Sequence, residues 1–180
     1  MPSITDLLYA FTEWLRTTSL VELSLWISNL PISLWIGTHF FVIPIMQTLH
    51  IFAIAAAFSS VLMINLRILG LTGTHRTMNQ IVRRYMPWIW WALVVLVISG
   101  IGMIVGEPIR ELINPIFWIK MVLVIGVILF SIWFQTKANR HSPSWDVRGG
   151  AIGMRAGAVF VIILWCAVMA GGRWIAYAPV

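Results

Sequence analysis

The chain has 180 residues, of which 60% are hydrophobic and only 10% charged, with a formal net charge of +6. A soluble domain carries roughly 25% charged residues, so the composition excludes an ordinary soluble fold and a nucleic-acid partner for the excess positive charge. Cys166 stands alone in an apolar run, which excludes a disulfide framework or cysteine-rich metal site and reads as a small core residue.

Residues 1–43 form the first of two expected regions, a set of interfacial helices. The start of the chain lacks a basic n-region and carries Asp6 and Glu13 within the apolar pattern, unlike a signal peptide. Ile4, Leu7, Leu8, Phe11, Trp14 and Leu15 recur at helical spacing, so they predict an amphipathic helix lying on a membrane face. Ser3 with Asp6, and Ser19 with Glu22, have capping-box spacing. Pro31 stops the second segment, and Gly37, Thr38 and His39 interrupt the third. A fifth crossing starting near Ser24 is the competing reading of this stretch.

Residues 44–180 predict four crossings, at about 45–71, 88–105, 116–135 and 151–176, each near the ~20 residues that cross a hydrocarbon core. Pro87 enters the second, after a short juxtamembrane helix over 77–86 with Thr77 and Gln80 as its capping pair. Asn114 and Pro115 open the third as N-cap and first helical residue. Tryptophans 88, 90, 91, 118, 133 and 174 crowd the ends as an interfacial belt. Close helix approach in lipid depends on small residues, which Ala53 with Ala57, Ala56 with Ser60, Gly102 with Gly106, Gly153 with Gly157, and Ala167 with Gly171 supply.

The first and third inter-helix loops, with their flanks, hold eight basic residues and one acid. The opposite side holds four basic residues and five acids. The positive-inside rule then places both termini outside, in the periplasm of a bacterial inner membrane.

A histidine in a hydrocarbon span marks a functional site by default. His50 lies six residues beyond Pro44, with Gln47 and Met46 on its own helical face. Lys120, Met103, Met169 and Arg173 fall toward the same outer ends of the other crossings. Lys120 and Arg173 can snorkel to the headgroups, and methionines often fill gaps. Used together, these residues suit three chemistries. Haem b would take His50 as axial ligand with its propionates toward Lys120 or Arg173. Copper would use the metal-ligand set His50, His39 and Met46. A quinone would hydrogen-bond to His50 and Gln47. On the opposite side, Asn65, Arg67, Gln135 and Lys137 end the first and third crossings beside Arg83 and Arg84, as lipid anchors do.

No acidic residue lies within a crossing, which argues against a carboxylate proton relay. The sequence contains no GxSxG, HExxH, P-loop or dinucleotide-binding pattern. Uninterrupted spans also differ from the broken helices of transporters.

Leu49-His50, the exit 66–71 around Arg67 and Gly70, and the closing Gly172-Arg173-Trp174 resemble an uncharacterised family of small bacterial four-helix membrane proteins. More distantly, the layout is similar to copper-resistance-D-type proteins and four-helix membrane b-type cytochromes. Those cytochromes pair histidines across helices, whereas His50 is the one histidine in a crossing here. The expectation is an all-α integral membrane four-helix bundle with amphipathic N-terminal helices on the outer face. It is expected to be a non-catalytic subunit holding haem b or a quinone near the periplasm for a larger electron-transfer complex. A cofactor-free accessory subunit and a copper-handling protein are the alternatives. Expected partners are the lipid bilayer, a periplasmic-side or membrane protein, and further copies of the chain.

Overall fold

The computed structural model describes residues 3–73, 75–140 and 152–174. The fold is all-α, with eight helices and no strand among the described residues.

Helix α1 (Ile4–Arg16) opens with the predicted capping box. Ser3 Oγ accepts from the Asp6 N–H at 3.1 Å, and the Asp6 carboxylate accepts from the Ser3 N–H at 2.8 Å. Ile4, Leu7 and Trp14 remain exposed on it, an apolar surface suited to a membrane interface. Ser19 does not cap helix α2 (Leu20–Ser28): its backbone is already helical at φ −63°, ψ −2°, and its side chain makes no capping bond. The Thr18 hydroxyl accepts from the Leu20 N–H at 3.4 Å instead. Pro31 then opens helix α3 (Pro31–Thr38) at a position where its missing N–H costs nothing. The pair α2–α3 is bent by 70° and is apolar enough for one broken span or a re-entrant turn.

Four helices are long and apolar enough to cross a bilayer: α4 (Val42–Leu69), α5 (Met78–Gly106), α7 (Pro115–Arg140) and α8 (Ile152–Trp174). Short helix α6 (Pro108–Leu112) joins α5 to α7. Much of their exposed surface is bare hydrocarbon (Phe52, Val97, Ile98, Val122), which is stable only in lipid. The protein is a multi-pass membrane protein.

Residues 77–86 and the second crossing form one helix, because α5 runs through Pro87 without a break. Proline removes one backbone donor, and here the carbonyl four residues back, on Arg83, loses its partner. Membrane helices tolerate such a loss where neighbouring groups or water take over. The predicted Thr77–Gln80 pair caps the start of α5, with reciprocal bonds of 3.1 and 3.3 Å. Asn114 caps α7, its Oδ1 accepting from the Ile116 N–H at 2.9 Å.

The described residues form two compact units. One comprises α1–α3, the start of α4, the end of α5, α6, the start of α7 and the end of α8. Ser33 ties α3 to α5 there by donating to the Val105 carbonyl at 2.7 Å. Gly106 makes room for Ile36 and Ile43, and Gly102 lies under the Met46 thioether. The other unit holds the remaining parts of α4, α5, α7 and α8 around buried Ala57, Val61, Ile64, Val127, Ala158 and Val161. Phe134 packs directly on Gly157. Gly153 and Gly171, expected to mediate contacts, face open space. Cys166 is exposed rather than buried, so it belongs to the lipid-facing surface.

The turn between α4 and α5 is fixed by one buried cation. Arg67 donates through Nε and Nη2 to the Arg76 carbonyl at 3.1 and 3.0 Å. Gly70 and Gly73 adopt left-handed backbone angles, φ +77° and +66°, which let the chain reverse there.

Candidate functional site

The functional candidates that the structure brings together lie in the unit containing the start of α4. His50 is half-buried on α4, and its Nδ1 lies 2.8 Å from Ser99 Oγ on α5. Ser99 has one hydroxyl proton, and it points to the Val95 carbonyl at 2.6 Å. Ser99 Oγ therefore accepts from His50, which puts the imidazole proton on Nδ1. In the neutral ring Nε2 then carries a lone pair. Gly100 passes beside the ring, where a Cβ would lie 3.7 Å from His50 Cε1, in ordinary contact.

The other predicted residues distribute around this pair unequally. Met46, one turn before His50, packs with its Sδ 2.6 Å from where a Cβ on Gly102 would lie. Gln47 is exposed and makes no hydrogen bond among the described residues. Met103 is half-buried on α5. Lys120 is half-buried on α7, its Nζ 3.5 Å from the Cβ position of Gly172 on α8. Its ammonium lies within electrostatic reach of His50 and of Glu111 on α6. His39 caps the end of α3, its Nδ1 2.7 Å from the Trp35 carbonyl and its ring 4.6 Å from the Trp35 ring. Met169 is half-buried in the other unit. Arg173 continues α8, and its side chain lies outside the described residues. No group of three or more His, Cys, Asp or Glu residues able to hold a metal occurs among the described residues.

Sequence reasoning missed two polar neighbours. Ser99 had a legible signal, as a hydroxyl beside a glycine inside an apolar span. Glu111 had less, because its helix is only five residues long. Burial pushes the Glu111 carboxyl above its ordinary range, against the opposing pull of Lys120 and Arg110 and with a smaller push from Glu107.

No curated protein and no solved structure matches the chain. A family model described as "Family of unknown function (DUF6644)" matches residues 35–178. That interval takes in all four long helices together with His50, Ser99, Glu111 and Lys120, and the chain belongs to this family.

Proposed function

We propose that this protein is a bacterial inner-membrane subunit that holds the head of a quinol at His50, near the periplasmic face, for a larger electron-transfer complex. The observation carrying this reading is the Ser99–His50 pair. With its Nδ1 proton held by a serine whose own proton goes elsewhere, neutral His50 offers an acceptor at Nε2. An acceptor suits a quinol hydroxyl better than a quinone carbonyl. Lys120 supplies positive potential that would favour the anion left when the quinol hydroxyl gives up its proton. The periplasmic placement rests on the excess of basic residues in the opposite loops.

Haem b is the second reading, favoured by the same geometry. A ligating histidine normally has its other ring nitrogen fixed by a hydrogen bond, as Ser99 fixes Nδ1. Optical spectra of gently solubilised protein, as isolated and dithionite-reduced, separate the two, with organic extraction of the same sample. Extractable quinol lost in His50→Ala, with no Soret band, is the expected result. A Soret band lost in His50→Ala would replace quinol by haem b. Neither signal, in protein that co-purifies with a partner complex, would leave a cofactor-free accessory subunit.

A further inference from the structure

A second polar site lies in the unit that does not contain His50. Among the described residues the four long helices bury three serines, and two of them, Ser60 and Ser99, are satisfied locally. Each donates to the carbonyl four residues earlier, at 2.8 and 2.6 Å, as do the exposed Thr48 and Thr136. Ser131 on α7 is the departure: it is 7% exposed, and its Oγ has no hydrogen-bond partner. Trp165 on α8 is 6% exposed, and its Nε1–H is equally unpartnered. An unpaired buried donor costs about 1–3 kcal/mol, so two such groups together call for a ligand.

Both residues belong to the wall of one cavity of about 30 Å³. Val61 from α4, Ile89 and Trp90 from α5, and Ile132 from α7 contribute to its otherwise apolar wall. Trp90 and Ile132 are 54% and 43% exposed, so the cavity borders the lipid-facing surface. A void needs only about 10–15 Å³ to accept one water-sized group. This one therefore admits a single oxygen with its attached carbon, while the rest of the molecule lies outside among the lipids.

We propose that the cavity binds the carbonyl oxygen of an apolar, membrane-dissolved molecule, which accepts from Trp165 Nε1–H and Ser131 Oγ–H. Two unpartnered donors on residues that wall an apolar chamber match an oxygen that brings lone pairs and no proton. A water molecule would leave its own hydrogens facing the apolar wall. The carbonyl can come from a quinone head or a lipid ester. This site does not depend on the His50 reading, and its reporter is a different side chain.

The test is the indole ¹⁵N–H spectrum of ¹⁵N-tryptophan-labelled full-length protein, with the Trp165 signal identified by its loss in Trp165→Phe. Spectra are taken in dodecylmaltoside, a detergent without carbonyls, then with decylubiquinone added, and separately in dioleoylphosphatidylcholine nanodiscs. A downfield Trp165 shift with decylubiquinone assigns the site to a quinone carbonyl. A shift on transfer to nanodiscs alone assigns it to the lipid ester. Ser131→Ala, checked for unchanged helicity and melting, should weaken either response by about five- to tenfold, the worth of one hydrogen bond. A Trp165 signal that exchanges magnetisation only with water and responds to neither addition would overturn the proposal.

Discussion

The imidazole of His50 and the hydroxyl of Ser99 meet at 2.8 Å from two different helices, and the serine proton is directed to Val95. The pair thus fixes a tautomer as well as a position. Ser99→Ala removes the acceptor for Nδ1–H and should let the neutral ring populate both tautomers. The stability cost should be about 1 kcal/mol, the usual net worth of one such bond. Side-chain ¹⁵N spectra of selectively labelled histidine read the tautomer directly. An unchanged tautomer in Ser99→Ala would remove the argument for a lone pair at Nε2.

Three glycines should respond to alanine in a graded order. Gly157→Ala places a methyl into the rigid Phe134 ring and should cost about 1–3 kcal/mol, as overpacking does. Gly102→Ala meets only the flexible end of Met46, which can change rotamer, so about 1 kcal/mol or less is expected. Gly153 has open space around it, so alanine there should be neutral or stabilising by up to about 1 kcal/mol. Thermal melting in detergent ranks the three variants, and a Gly153→Ala loss larger than that of Gly157→Ala would contradict the packing described.

Arg67 is 8% exposed and holds the Arg76 carbonyl with two nitrogens. Arg67→Lys keeps the charge but cannot make the planar two-point contact. It should destabilise the protein by about 1.5–3 kcal/mol, the range for hydrogen bonds to charged groups. The damage should be local, read as faster amide exchange over residues 70–73 and 75–77. Protection unchanged there would mean that Gly70 and Gly73 hold the turn unaided.

Glu111 and Asp6 should shift stability with pH in opposite directions. The Glu111 carboxyl sits above its ordinary range when folded, chiefly through burial. The folded state therefore binds the proton more tightly than the unfolded chain does, and stability falls as pH rises from the ordinary carboxylate range through the raised value. Glu111→Gln should abolish that fall and exceed the wild type in stability at neutral pH. Asp6 is lowered, first by the Ser3 backbone N–H and then by the Ser3 hydroxyl. Its contribution to α1 is present above its ordinary range and disappears as pH falls through the lowered value. Melting curves from about pH 4 to 8 test Glu111, and a profile unaltered by Glu111→Gln would refute its burial cost.

What could be read in advance was local. Ser3, Thr77 and Asn114 cap as predicted because a cap depends on residues two or three positions away. Ser19 has the same spacing and fails, because the tight passage from α1 to α2 already holds its backbone in the helical region. Pro87 was misleading in the same way: its rule belongs to water, where a lost hydrogen bond ends a helix more readily. The candidate site was half legible. His50 and Lys120 were visible as polar groups in apolar runs, but their neighbours were not, since the pairing of His50 with Ser99 spans 49 positions. Cys166 shows the limit of apolar context, which cannot distinguish a core face from a lipid face when both are hydrocarbon.

Met46 and Gly102 occupy what is in effect a single volume divided between two helices. The two positions should therefore vary together in size. A relative with a residue larger than alanine at the glycine position should carry a shorter one at the methionine position, and the reverse exchange should be equally acceptable. Met46 can yield to alanine by changing rotamer, but a larger side chain would press on the helical turn that carries His50. Paired size at these two positions should therefore mark the members of the family that retain the same site.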